Sequence, residues 1–169
     1  MAQRGDASAS RQVTVISLLR RTNHLMVSEI TDRLEASGFP DSPPSFHPIF
    51  ENLDPEGTRL TVVATRAGLT HQSVGEVVTE LERRGYVERI PDPTDKRARL
   101  VSLTDRGRDL VRAAVRHITD IEREWGERWR AGGLRGDMRA ALLAGLSGAG
   151  HDPTDAPVLP RASDLGTHR

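Results

Sequence analysis

The chain has 169 residues, 36% hydrophobic but only 4% aromatic, with 24 basic residues against 24 acidic ones and no cysteine. That length supports one domain with a real core plus tails. The absence of cysteine excludes disulfides, thiolate metal sites and a cysteine nucleophile or redox sensor within this chain.

Residues 1–12 are polar and no apolar run approaches about 18 residues, so neither a signal peptide nor a membrane span is expected. Residues 1–9 read as a disordered lead. From Ser10 to Ser37, Val13, Ile16, Leu19, Met26, Ile30 and Leu34 recur at helical spacing, with Asn23 interrupting the stripe. Gly38 supplies the stop, and a proline-bearing linker, 38–45, follows. A short helix over about 45–53 carries Phe46, Ile49, Phe50 and Leu53. Asp54–Gly57 is a turn. Residues 10–56 thus form an N-terminal unit of helices and linker.

Residues 57–108 read as a helix-turn-helix followed by a hairpin. Thr61 can cap a helix ending before Gly68, and Thr70 can cap the next, which Gly85 ends. Leu69 and Val74 fall at hydrophobic-staple positions. Tyr86–Ile90 and Arg99–Leu103 read as strands, with the polar loop 91–98 between them. Thr104 caps a long helix, about 105–131, striped by Val111, Ala114, Val115, Ile118, Ile121, Trp125 and Trp129. After Gly132-Gly133 a last helix, 134–146, carries Met138, Ala141, Leu142 and Leu146. Residues 109–147 form a C-terminal helical unit, and 148–169 a tail of low order. The fold class expected is mainly α (α+β): a winged helix-turn-helix with flanking helices.

Charge supports a nucleic-acid role once it is located. Residues 57–108 hold ten basic and seven acidic side chains, so the neutral chain has a basic middle and acidic flanks. If Val74, Val77, Val78 and Leu81 face inward, the helix from Thr70 turns His71, Gln72, Ser73, Glu76 and Thr79 outward. Short polar side chains at a helix N-terminus suit base edges and phosphate; a solvated helix face is the plain alternative. Gly75 costs roughly 1 kcal/mol in a helix interior, which close approach to DNA or to a neighbouring helix would explain. Lys96 and Arg97 at the hairpin tip, with Arg99 beside them, can reach phosphates or a narrow minor groove. Asp95 is close enough in sequence to orient Arg97 by an ion pair.

The run of Thr65-Arg-Ala-Gly-Leu-Thr, Glu80-Leu-Glu-Arg-Arg-Gly-Tyr-Val-Glu-Arg, Asp92-Pro-Thr-Asp-Lys-Arg and Leu100-Val-Ser-Leu-Thr-Asp-Arg-Gly-Arg resembles the MarR family of bacterial transcription regulators across about 57–110. The resemblance implies a winged-helix homodimer held by its N- and C-terminal helices. Recognition helices enter major grooves and wing arginines enter minor grooves of double-stranded DNA. Arg97 matches the wing arginine and Asp95 its partner. It implies a cytoplasmic, nucleoid-associated regulator, a repressor more often than an activator, and a small aromatic effector. Two departures limit the borrowing. Many relatives carry a basic or hydroxyl residue where this chain has Glu76, and three prolines stiffen the linker.

Two long striped helices exceed what one small motif can cover, so self-association would bury the surplus. Val13, Ile16, Leu19, Trp125, Trp129 and Leu142 are the interface candidates; an intramolecular helix hairpin is the alternative. His24, Met26, Phe46, His47, Phe50 and His117 are candidates for an effector pocket, each more readily read as core or surface, Met26 above all because it already fits the first helix's apolar stripe. A zinc site from His24, His47 and His117 lacks any HxxH, HxxxH or HExxH spacing, so no metal and no cofactor are expected. No nucleophile elbow, phosphate loop or His-paired carboxylates point to an enzyme. A winged-helix module used only for architecture or protein interaction is the alternative function.

Overall fold

The structure, a computed structural model, describes residues 13–150 and 152. The proposed lead, 1–9, and nearly all of the proposed tail lie outside the described residues. Helix α1 spans Val15–Ala36. The Thr14 hydroxyl accepts the Ser17 N–H at 3.1 Å, so the helix starts five residues later than the apolar pattern suggests. Asn23 does not break it. The helix ends as its glycine predicts: Gly38 has φ +93°, and the Phe39 N–H reaches back to the Leu34 carbonyl at 2.9 Å.

The linker carries a 3-10 turn at Pro44–Phe46 and a four-residue helix α2, His47–Phe50, in place of the longer single helix that the sequence suggests. The next element is a strand the sequence does not announce, β1, Thr58–Arg59. Helix α3, Leu60–Ala67, follows at once. Its N-cap is therefore Arg59, without a side-chain cap bond, and Thr61 lies inside the helix. Gly68 closes it in the left-handed region. Helix α4, His71–Arg83, starts as predicted: the Thr70 hydroxyl accepts the Ser73 N–H at 3.1 Å.

Strands β2, Val87–Asp92, and β3, Asp95–Leu103, run closer to the tip than expected and leave only Pro93 and Thr94 between them. With β1 they form an antiparallel sheet in the order β1-β3-β2. Register runs evenly from Val87↔Leu103 to Pro91↔Arg99, then slips to Asp92↔Asp95. Lys96, Arg97 and Ala98 therefore face no partner and bulge from the ladder. Pro91, which has no N–H to donate, sits where the pairing fails.

Helix α5, Asp105–Ala131, begins behind its expected Thr104 cap. It packs antiparallel on α1: Ser37 meets His117, Arg33 meets Glu124 and Glu29 meets Arg128. Leu34, Ala113 and Ala114 are buried in that contact. Helix α6, Met138–Gly148, starts four residues later than expected, where the Asp137 carboxylate accepts the Ala140 N–H. The core proper lies lower, among α2, α3, α4, the sheet and the start of α5. Its largest fully buried side chain is Tyr86.

The first turn of α5 is laid against the backbone at Tyr86. The Thr104 N–H donates to the Tyr86 carbonyl at 3.1 Å, and a Cβ on Gly107 would overlap that same oxygen. Backbone cannot yield as a flexible side chain can. Gly107→Ala should therefore destabilise the chain by about 1–3 kcal/mol, the usual cost of overpacking. A urea midpoint unchanged from wild type would contradict this contact.

Candidate nucleic-acid interface

Helix α4 buries Val74, Val78 and Leu81, with Val77 packed against the same core. The helical period then leaves His71, Gln72, Ser73, Glu76 and Thr79 exposed, the outward set expected, with the cap residue Thr70 exposed beside them. Two contacts order this face. Gln72 Nε2 donates to Glu76 Oε1 at 3.1 Å, and the Thr79 hydroxyl donates to the Gly75 carbonyl at 2.8 Å. Glu76 is thus a preoriented acceptor, suited to an amino group on a base edge. A Cβ at Gly75 would meet nothing within 4 Å, so no neighbouring helix of this chain explains the glycine.

Lys96, Arg97 and Arg99 are exposed, and among the described residues none of their side chains makes an ion pair. Asp95 does not orient the Arg97 guanidinium as expected. Its carboxylate accepts the Arg97 backbone N–H at 3.0 Å and lies 4.0 Å from Arg59. The wing's anchor is instead Asp92, only 5% exposed. It accepts the Thr94 hydroxyl at 2.6 Å and the Thr94 N–H at 2.8 Å, and Arg59 at 2.6–2.7 Å. The Thr94 hydroxyl and amide, then Arg59, hold the Asp92 carboxyl down to about 2.

Sequence reasoning missed Arg59 and Arg89 as structural parts of this surface. Arg89, on β2, donates to the Thr79 hydroxyl at 3.3 Å and pairs with Glu82 at 3.4 Å, joining the hairpin to α4. The Asp92-Pro-Thr-Asp95 string did carry a readable signal. Asp followed two residues on by a backbone N–H is the chemistry of an Asx turn.

Residues of α1, α2, α5 and α6 line an open, largely apolar cavity of about 660 Å³. Three of the expected pocket residues, Met26, His47 and Phe50, line it. The other three do not. Phe46 is buried in the core with Arg84 over its ring at 5.3 Å. His24 lies in a separate surface recess, and His117 is bonded to Ser37 at 2.8 Å. Among the described residues no cluster of three or more His and carboxylate groups could hold a metal. His47 Nε2 is buried with no hydrogen-bond partner among the described residues. Burial alone pushes the His47 imidazole below its ordinary 6.5 and the Glu51 carboxyl, also on the cavity wall, above its ordinary 4.5.

Comparison with known proteins agrees with this geometry. Residues 47–98 match the model of the MarR family. The uncharacterized HTH-type transcriptional regulator YdcH of Bacillus subtilis is 45% identical over 49 residues, 29% of this chain and 33% of that protein. The transcriptional regulator HosA of Escherichia coli is 32% identical over 72 residues, 43% of this chain and 53% of that protein. The chain thus spans a third to about half the length of these curated relatives. The CouR structure from Rhodococcus jostii bound to p-coumaroyl-CoA superposes with a TM-score of 0.61 at 21% identity, covering 93% of this chain and 100% of that one. The repressor CouR bound to a 23-mer DNA duplex gives 0.61 at 22%, covering 89% and 100%. The fold is a winged helix shared with these solved structures.

The buried imidazole has a consequence for acid stability. The unfolded chain takes up the His47 proton near pH 6.5, while the folded chain resists it, so stability falls as pH drops below that value. His117 acts in the same sense; Glu51, whose buried carboxylate is relieved by protonation, acts in the opposite one. Between pH 7.5 and about 5.5, His47→Gln should lose less stability than wild type in paired urea titrations. Parallel losses would remove His47 from the account.

Proposed function

We propose that this chain, whose residues 47–98 are a MarR-family segment set in a winged-helix fold, is a DNA-binding transcription regulator. It acts as a homodimer on a pseudo-palindromic operator, as a repressor that a small molecule releases, in the cytoplasm at the nucleoid. The observation that carries this reading is one continuous surface. The polar face of α4 and the unpaired Lys96-Arg97 bulge belong to elements joined through Arg89 and Thr79. A helix fits a major groove, and a basic wing tip reaches phosphate or a minor groove beside it.

Two further features support the assembly and its control. Val13, just ahead of α1, and Ile16 and Leu19 on it are 68%, 80% and 46% exposed, and Leu142 on α6 is 45% exposed. Apolar surface in that amount at both ends of one chain favours a second copy. Trp125 is partly used within the chain, its Nε1–H donating to Glu29 at 3.2 Å, while the Trp129 ring lies tilted against it with centroids 5.8 Å apart. The cavity at Met26, His47 and Phe50 lies between those helices and α2, where an effector that fits one arrangement better than another would shift the population. CouR, seen with DNA and with p-coumaroyl-CoA, supplies a fold relative for both states. Among the described residues no helix is long and apolar enough to cross a membrane.

Selection of bound sites from random duplex DNA tests the reading, and a palindrome with half-sites about one helical turn apart is the expected product. On the selected site, Arg97→Ala should weaken binding and lower the salt slope by about one unit. Unchanged affinity would sink the wing assignment. Sedimentation should return the mass of two chains, and Ile16→Asp should return that of one; a wild-type monomer would overturn the dimer.

A further inference from the structure

Lys96 and Arg97 sit in a bulge where neither is paired in register with a residue of β2, so the contacts around the bulge help fix where they point. The Asp92↔Asp95 pair closes the tip beyond the bulge, and Asp92 is the better buried of the two. Its carboxylate is shared. One oxygen takes the Thr94 amide and hydroxyl and so shapes the turn; the other takes the Arg59 guanidinium through Nε and Nη2. Arg59 Nη2 also reaches the Thr94 hydroxyl at 3.5 Å and lies 4.0 Å from Asp95. Arg59 is itself held twice. It pairs with Leu100 in the sheet, and it is the N-cap of α3, the first helix of the helix-turn-helix. A fork with five donors suits such a two-point grip, and an ammonium does not reproduce it.

We propose that Arg59 is a positioning residue for DNA binding: by gripping Asp92 it ties the wing tip to the helix-turn-helix and fixes the reach of the Lys96-Arg97 bulge. The inference rests on the DNA-binding reading above. It makes Arg59 more than one of ten basic residues, and it assigns Asp92, an acidic residue beside the duplex, a favourable role in binding a polyanion.

That sign gives the test. If the two side chains acted only through their charge, Asp92→Asn would remove a negative charge near phosphate and tighten binding. If they act as a clamp, Asp92→Asn leaves an amide facing the guanidinium and loosens the wing. Wild type, Arg59→Met, Arg59→Lys, Asp92→Asn and the Arg59→Met/Asp92→Asn double variant would be compared on the selected duplex. Affinity and hydroxyl-radical footprint would be read for each, with circular dichroism and sedimentation verifying fold and mass. The expected result is a fall of about tenfold in affinity for Arg59→Met and for Asp92→Asn alike, with no further fall in the double variant. Cleavage protection should be lost at the wing's minor groove and kept at the α4 major groove. Arg59→Lys should recover part of both losses. Binding by Asp92→Asn at or above the wild-type level would overturn the clamp, and so would additive losses in the double variant. If Asp92→Asn fails to fold, Arg59→Met decides alone: wing protection retained in that variant overturns the clamp, and wing protection lost supports it. A wild-type protein that protects no selected duplex would instead overturn the DNA-binding reading, and the clamp with it.

Discussion

Four segments, α4, α5, α2 and the linker, are registered on the single residue Tyr86. Its N–H closes the end of α4 on the Leu81 carbonyl at 2.9 Å, and its carbonyl receives the Thr104 N–H that starts α5. Its ring lies in the core, edge-on to Phe50 at 6.3 Å, with the Arg106 guanidinium over its face at 4.9 Å. Its hydroxyl donates to Asp41 in the linker at 2.6 Å. A buried phenol needs a partner, since an unsatisfied hydroxyl there would cost more than the bond contributes net. The linker prolines limit what the chain can do between α1 and α2, and the Asp41 bond selects one of the few paths left. Helix α4 and the long helices therefore share a reference point.

What can be read from the sequence is what local chemistry decides. Thr70 and Thr104 cap their helices as their hydroxyls suggest, and Gly38 and Gly68 close theirs because only glycine adopts that φ at no cost. The outward set on α4 follows from period alone. The failures are equally physical. Strand β1 is two residues long, too short to show alternation, and exists because β3 offers it a partner. Its pairing also moves the α3 cap from Thr61 to Arg59. The wing loop looks eight residues long because its residues are polar, whereas the pairing closes over Asp92 and Asp95 in spite of their charge. Proximity in sequence suggests an Asp95–Arg97 ion pair, but a carboxylate two residues before an amide finds that amide first. His24 and His117 can be placed only by knowing which face α1 turns to α5.

An intramolecular hairpin describes only part of the length of the long helices. The C-terminal half of α1 packs on α5 within the chain, through Leu34 and through the Arg33–Glu124 ion pair, in which the hydrogen bond to Glu124 raises the guanidinium and lowers the carboxylate. Such half-exposed pairs set register more than they add stability. The N-terminal half of α1 and all of α6 bury nothing comparable.

That division gives α1 a mechanical character. The last ion pair to α5 is at Glu29, opposite Arg128, only three residues from the end of α5. The fourteen residues of α1 ahead of it extend roughly 20 Å at 1.5 Å per residue. A tilt of about 5° at the α1–α5 contact would swing the far end by roughly 2 Å over that length. The helix is a lever with a short, well-gripped arm and a long free one. Whatever surface its exposed turns take hold of, small rearrangements around the cavity beside its fulcrum reach that surface amplified.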